Sequence, residues 1–148
     1  MIGITDIYIA LRETIEQACA DAGITAPVIA GDLTEPIVRP SIKIELANDQ
    51  ASRDTTHMDA RSLTARIYYF APDAHKWRDA NYAMQDALRS ALHDSLMAGT
   101  FEIISEDGID FDTTDGVLIG TIQYDWLEER PSHDDGELIE ELSVAINT

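Results

Sequence analysis

The spacing of apolar residues changes three times along this chain, and these changes constrain its fold more than any other feature. Residues 4–22 place apolar side chains three or four positions apart, which is typical of a helix with one buried face. Two stretches, 41–46 and 62–69, alternate apolar with polar residues, which predicts half-buried strands. Helical spacing returns over 75–98, and alternation returns from Phe101 onward. The chain therefore combines helices and strands in segregated groups.

Turn and cap residues complete the predicted elements. Thr5 or Asp6 is suited to cap the first helix and Gly23 to end it, while Asp73 and Gly99 take these roles in the second helix. The predicted elements are a helix at 4–22, strands at 27–30, 41–46 and 62–69, a helix at 75–98, and strands at 101–105, 109–113 and 117–127. This α-β-β-β-α-β-β-β order predicts an α+β fold, in which a small antiparallel or mixed sheet packs against two helices.

Residues 48–60 form a polar segment between the two alternating stretches and are predicted to be the long loop of an antiparallel hairpin. The titratable and charged side chains near its centre are Arg53, Asp54, His57 and Asp59. His57 and the two aspartates could hold a cation. A solvated polar loop without a ligand is the favoured interpretation, because polar loops of this composition are common.

The C-terminal segment differs in composition from the rest of the chain. It begins with the acidic stretch 128–136 and ends with apolar residues at alternating and helical spacings: Leu138, Ile139, Leu142, Val144 and Ile146. A short helix, a strand, or an arm that docks on a neighbouring molecule all fit this pattern. We therefore expect a single α+β domain over residues 1–127 and an extended acidic arm over residues 128–148.

The charge of the chain excludes two classes of partner. Ten basic residues against 28 acidic residues give a formal net charge of −18. Nucleic-acid binding depends on lysine and arginine side chains that neutralise phosphates, so stable nucleic-acid binding is not expected. Attraction to an anionic membrane surface needs basic clusters too, and no apolar run is long enough for a transmembrane helix. The first six residues lack the basic region of a secretory signal.

No pattern in the sequence points to catalysis, a cofactor or a metal site. Cys19 is the only cysteine, it lies on the apolar face of the first predicted helix, and we expect it to be a buried core residue. The histidines are scattered, and residues 110–121 place acids and glycine in the wrong register for a calcium loop. Glycine-rich phosphate loops and a nucleophile elbow are absent. An enzyme is therefore the less favoured class.

The order of elements resembles that of bacteriophage tail terminator proteins, also called tail-completion or head–tail joining proteins. The resemblance covers about residues 4–127 and is carried by the pattern of elements. Its parts are the opening helix, the strand after Pro40, the polar segment, the strand at 66–70, the helix bearing Tyr82, Met84 and Leu88, and the final hairpin from Asp115 to Trp126. Many relatives carry more lysine and arginine, so the acidity of this chain is a departure.

The resemblance implies a structural virion protein without catalysis. Members of this family assemble in the host cytoplasm as a homo-oligomeric ring, commonly a hexamer, on the last ring of the tail tube. They stop tube growth and join the tail to the head connector. By this resemblance, the partners are further copies of the chain, the tube protein and the connector. The expected contact residues are Arg53, Asp54, His57 and Asp59 in the polar segment and Leu142, Val144 and Ile146 in the arm.

Other interpretations of the same sequence remain. The chain could be a different neck or tail-completion protein. A net charge of −18 also suits an acidic mimic of DNA that inhibits a DNA-binding protein. A third interpretation is a surface adapted to high salt, which would indicate nothing about function.

Overall fold

A four-stranded antiparallel sheet and two helices make up most of the structure, a computed structural model that describes residues 2–29 and 37–130. The elements are α1 (Ile4–Ala22), β1 (Ser41–Arg53), β2 (Met58–Phe70), α2 (Arg78–Leu92), β3 (Ser95–Ala98), β4 (Phe101–Ile104), β5 (Ile109–Thr114) and β6 (Val117–Glu129). The main sheet has the order β1-β2-β6-β5, and β3 pairs with β4 in a separate hairpin. All of these pairings are antiparallel, which confirms the α+β fold.

One hydrophobic core lies between the two helices and one face of the main sheet, which we call the inner face. Because side chains alternate across a strand, residues paired across β1, β2, β6 and β5 share a face along the whole sheet. Inner-face residues with at most 1% exposure are Ile42, Leu63, Ala65, Ile67, Leu118, Ile122 and Tyr124. They meet the fully buried Leu11 and Ile15 of α1 and Met84 and Leu88 of α2. Burial of each large side chain contributes about 1.5–3 kcal/mol to folding.

The first helix begins at Ile4 and ends at Gly23 as predicted, but Gly3 replaces Thr5 or Asp6 as its N-cap. Gly23 has φ +70°, and the N–H of Ile24 bonds to the carbonyl of Cys19 at 2.8 Å. This left-handed glycine closes the helix because it has no Cβ to clash. Gly3 takes the N-cap position, and the Asp6 carboxylate accepts a hydrogen bond from its N–H at 3.2 Å.

The second helix is shorter than predicted. It ends at Leu92, and the last residues of the predicted helix, 95–98, form β3. Asp94 would place a negative charge at the helix C-terminus, which is unfavourable. Leu96 fits both the helical spacing and an alternating strand, so the apolar pattern alone does not distinguish a longer helix from a separate strand. Gly99, predicted as the helix stop, has φ +65° in the tight turn that joins β3 to β4.

The predicted long loop at 48–60 is wrong. β1 continues to Arg53 and β2 begins at Met58, so only residues 54–57 connect them. An irregularity between Ala47 and Gln50 shifts the register, and Asn48 there has φ +55°. The extra residue is a β-bulge. It breaks the alternation of side chains before residues 50–53, the distal half of the strand, which lies towards the turn with β2.

The predicted edge strand at 27–30 is reduced to a single bridge. Val28 pairs with Ile42 in a parallel bridge, and residue 30 lies outside the described residues. The N–H of Ile42 bonds to the carbonyl of Pro27, and the N–H of Ile29 bonds to the carbonyl of Ile42, both at 2.9 Å. This bridge covers only the start of β1.

The turn between β5 and β6 is the predicted Asp-Gly hairpin turn. Asp115 has φ +51° and Gly116 has φ +78°, which are the two left-handed positions of a type I′ turn. The indole of Trp77 lies against the Gly116 backbone, and the Asn81 amide donates a hydrogen bond to the Gly116 carbonyl at 3.1 Å. The start of α2 is thereby held against this turn.

The Cys19 thiol is expected to react slowly in the folded protein. Its side chain is 4% exposed, and burial is the main cause that raises the pKa of the thiol. Because only exposed thiolate reacts, labelling by Ellman's reagent should be at least about 100-fold slower than in urea. A Cys19→Ala/Ser90→Cys variant, with its thiol on the exposed side of α2, should react rapidly. Equal rates for the two folded proteins would contradict the burial of Cys19.

Candidate interaction surfaces

The turn between β1 and β2 is held by hydrogen bonds and projects polar side chains into solvent. We call residues 53–59 the hairpin tip. The N–H groups of Asp54 and Thr55 both bond to the Met58 carbonyl at 3.0 Å, and the Thr55 hydroxyl accepts a hydrogen bond from the Met58 N–H at 3.1 Å. Arg53 donates to the Thr56 hydroxyl at 3.4 Å. The tip is therefore an ordered turn.

The structure brings the four predicted contact residues of the polar segment together at this tip, where they differ in solvent exposure. Arg53, Asp54 and His57 are exposed. Asp59 is mostly covered, and its carboxylate lies 2.7 Å from Nε of Arg130. Three of the four side chains are thus available to a partner, while Asp59 already has one. The other predicted contact residues, Leu142, Val144 and Ile146, lie outside the described residues.

Arg130 connects the end of β6 to the hairpin tip by two contacts. Its side chain forms the ion pair with Asp59, and its N–H bonds to the His57 carbonyl at 2.9 Å. β6 runs to Glu129, so the start of the acidic C-terminal stretch is part of the sheet. Arg130 therefore lies against the hairpin tip.

A buried ion pair lies at the centre of a polar network behind the tip, which we call the Arg61 cluster. The side chains of Arg61 and Glu128 are each 5% exposed, and Nη1 lies 3.1 Å from Oε2. Arg61 also reaches Asp49 Oδ1 at 3.3 Å and the Ile2 carbonyl at 3.2 Å. The Ile2 N–H donates to Glu128 Oε1 at 2.8 Å, and the guanidinium lies 5.1 Å from the centroid of the Trp126 ring.

The Arg61 cluster joins the N-terminal residues to the three strands β1, β2 and β6. Removing two charges from water is costly, and their attraction offsets that cost only where further hydrogen bonds satisfy both groups. Here the Ile2 backbone bonds to both Arg61 and Glu128. The cluster consequently fixes the distal half of the sheet, and with it the position of the hairpin tip.

The burial of Arg61 could have been predicted from the sequence if β2 had been extended towards the predicted loop. Inward positions of β2 follow the alternation Leu63, Ala65 and Ile67, and Arg61 continues it two residues earlier. An arginine at an inward position of a strand requires a buried partner. Glu128 continues the inward series of β6 in the same way, two residues after Trp126, so the two alternations together identify the pair.

The charged side chains on the outer face of the main sheet differ between its two edges. Near β1 lie Lys43, whose ammonium is 5.9 Å from the Tyr68 ring centroid, and Arg66, which pairs with Glu45 at 3.1 Å. At the other edge, β5 presents Asp110 and Asp112, and its residues 109–114 include no basic side chain. Neither aspartate forms an ion pair within the part of the chain that the structure describes.

A groove with a volume of about 670 Å³ runs between β4 and the distal half of the sheet. Ile104 and Leu127 line it and are 53% and 54% exposed. Glu102, Glu106 and Asp125 add carboxylates to its rim. An apolar surface bordered by acids suits contact with another protein better than chemistry on a small molecule.

Within residues 2–29 and 37–130, no group of three or more histidine, cysteine or acidic side chains converges on a point that could hold a metal ion. Neither described helix has the combination of length and apolar character needed to cross a bilayer.

Comparison with known proteins identifies the family. A family model described as phage tail terminator protein matches residues 6–136, which is most of the chain. The chain belongs to the phage tail terminator family. This tail terminator is accordingly a structural protein of the virion tail, and the resemblance found in the sequence is confirmed. The family match supports a structural role and does not support the alternative of an acidic DNA mimic.

Two further comparisons add little to this assignment. No curated protein matches the sequence of this tail terminator. One similar solved structure is titled "Virion of native gene transfer agent (GTA) particle", with 14% identity, a TM-score of 0.46, and coverage of 84% of this chain and 98% of that chain. A TM-score below 0.5 is too low to support an inference.

Proposed function

We propose that this protein assembles as a homo-oligomeric ring, a hexamer, on the last ring of the tail tube. There it stops tube growth and presents a second face to the head connector. The observation that carries the proposal is the family match over residues 6–136. In this role the molecule works through the shapes and charges of its faces and performs no reaction.

The hairpin tip and the C-terminal arm are the proposed contacts with these partners. Arg53, Asp54 and His57 project from a turn whose backbone is held by hydrogen bonds to the Met58 carbonyl and from the Arg130 N–H, so a partner meets a preorganised surface. Preorganisation lowers the entropy lost on association. Leu142, Val144 and Ile146 supply apolar side chains for a contact with a neighbouring copy or the tube.

The net charge of −18 has a use in the same role. DNA leaves a virion through the lumen of the tail, and a wall rich in carboxylates offers few cations to bind phosphates. We propose that the acidity of this chain keeps the passing DNA from adhering. Basic substitutions on the lumen face should slow DNA release, and unchanged release would contradict this part of the proposal.

Deletion of the gene tests the role in tail completion. In the cells that produce the particle, deletion should yield tail tubes of uncontrolled length without heads, as seen by negative-stain electron microscopy. The intact gene supplied in trans should restore uniform, joined tails. Normal tails with normal heads in the deletion strain would overturn the proposal.

Substitution at the tip tests the proposed contact surface. The variant Arg53→Glu/His57→Glu should fold with a free energy of unfolding within about 0.5 kcal/mol of the parent, because both side chains are exposed. It should complement the deletion at least about tenfold less well, as expected for loss of an interface contact. The control Lys76→Glu/His75→Glu alters the exposed loop before α2 and should complement fully. Equal complementation by both variants would contradict a contact at the tip.

A further inference from the structure

We infer that β1 of one copy pairs with β5 of the next, so that the main sheet continues from subunit to subunit around the assembly. This inference rests on the proposed homo-oligomer and names the contact that builds it. It follows from sheet edges that residues 2–29 and 37–130 leave largely unpaired, from the direction of the strands, and from the match of the two edges in apolar pattern and charge.

Both edge strands present backbone groups that no described residue pairs with. The N–H and carbonyl of Ile42 point away from β2 and bond to Pro27 and Ile29. Alternate residues of a strand point to the same edge, so the N–H and carbonyl groups of Ile44 and Leu46 face this edge also. No residue within 2–29 or 37–130 bonds to them there, and β5 pairs only with β6. Exposed edges of this kind are ready to accept another strand.

The strand directions allow a rotated copy to continue the sheet. The order β1-β2-β6-β5 is antiparallel at each step, so β1 and β5 at the two edges run in opposite directions. Rotation about the axis of a ring preserves the direction of a strand along that axis. When β1 of one subunit meets β5 of its neighbour, the pair is therefore antiparallel. Each subunit contributes one edge of each kind, which is the heterologous contact that closes a ring.

The two edge strands also match in which of their residues face the inner side of the sheet. Ile42 and Ile44 lie on the inner face of β1, and Ile109 and Phe111 lie on the inner face of β5, so pairing would join the two apolar layers. Outer positions then align with outer positions. The inner side chains of β5 are only partly buried within one copy, which leaves apolar surface for a neighbour to cover.

The charges on the two edges indicate that the strand that pairs with each edge comes from a second copy of the chain. The outer face near β1 carries Lys43, Glu45 and Arg66, and because Glu45 pairs with Arg66, Lys43 is its unbalanced charge, whereas β5 carries Asp110 and Asp112. Two β5 edges would place carboxylates together, but β1 against β5 places the Lys43 ammonium near carboxylates. Opposite charges across a strand pair are favourable and like charges are unfavourable. The complementary partner of each edge is thus present in every other copy of the chain.

Charge reversal with rescue tests the inference in the full-length protein. The concentration at which the protein assembles, measured by native mass spectrometry and light scattering at low salt, should rise at least about tenfold for Lys43→Glu and for Asp110→Lys/Asp112→Lys. Combining all three substitutions should restore assembly, because the complementarity is reversed as a whole. Lys76→Glu makes the same charge change on an exposed loop and should assemble like the parent.

Cross-linking provides a second measurement that does not depend on charge. In a Cys19→Ala background, Ala47→Cys with Asp112→Cys puts one thiol on each outer edge. A short bismaleimide should produce a ladder of covalent oligomers, and Lys76→Cys alone should not. Circular dichroism checks that each variant is folded.

The outcomes separate the edge pairing from the proposed function. A ring that persists in every charge variant and gives no ladder overturns the pairing of β1 with β5 and leaves the tail-completion role standing. A parent protein that stays monomeric at all concentrations, in solution and on added tail tubes, overturns both. Loss of assembly in the single-edge variants with recovery in the combined variant supports the inference, and loss without recovery contradicts it.

Discussion

Replacing Arg61 with methionine is expected to lower the free energy of unfolding by about 3–5 kcal/mol, the range for breaking a buried ion pair from one side. The variant leaves Glu128 buried at 5% side-chain exposure without its cationic partner. Two hydrogen bonds to the carboxylate remain, from the Ile2 N–H at 2.8 Å and from the Trp126 indole at 3.4 Å. They do not replace a positive charge in a site from which water is largely excluded.

Urea unfolding followed by tryptophan fluorescence measures this effect. Trp126 lies against the Arg61 guanidinium and reports directly on the cluster. The double variant Arg61→Met/Glu128→Leu should be destabilised much less than Arg61→Met, since no uncompensated charge remains. Arg12→Met removes an exposed ion pair with Glu16 and should cost no more than about 1 kcal/mol. Equal costs for Arg61→Met and Arg12→Met would show that the cluster is not a buried anchor.

Replacing Gly116 with alanine is expected to lower the free energy of unfolding by roughly 2–4 kcal/mol. Two causes add. Gly116 has φ +78°, where an L-residue is strained, and a Cβ built there would lie 2.8 Å from Cδ1 of Trp77. The indole cannot move without disturbing the start of α2, which the Asn81 amide holds to the Gly116 carbonyl.

A second glycine separates these two causes. Gly108 has φ +70°, but a Cβ at that position meets no atom within 4 Å. Gly108→Ala should therefore show the backbone cost alone, roughly 1 kcal/mol. The difference in urea midpoint between the two alanine variants measures the clash with Trp77. If Gly116→Ala and Gly108→Ala are equally destabilised, the indole does not contact the turn.

The positions of helices and strands with one buried face could be read from the apolar pattern. α1, the proximal half of β1, most of β2 and the turn at Asp115 and Gly116 all follow local rules of spacing and turn chemistry. These rules depend only on neighbours in the sequence, so one chain suffices to apply them. The α+β class then follows from the order of the elements.

Errors arose where a distant residue decides the local structure. The polar distal half of β1 is a strand because β2 pairs with it beyond the bulge at Asn48. Arg61 is buried because Glu128, 67 residues away, completes its charge. Hydrophobic spacing within a short window contains no information about such partners. The error at residues 95–98 is a local one, because the apolar spacing of this short hairpin strand also fits a helix.

The contact between Arg130 and the carbonyl of His57 brings two distant parts of the sequence to one end of the domain. The predicted contact residues of the polar segment therefore share one end of the domain with Arg130. An ion pair between residues 71 positions apart therefore ties the turn that presents Arg53, Asp54 and His57 to the end of β6.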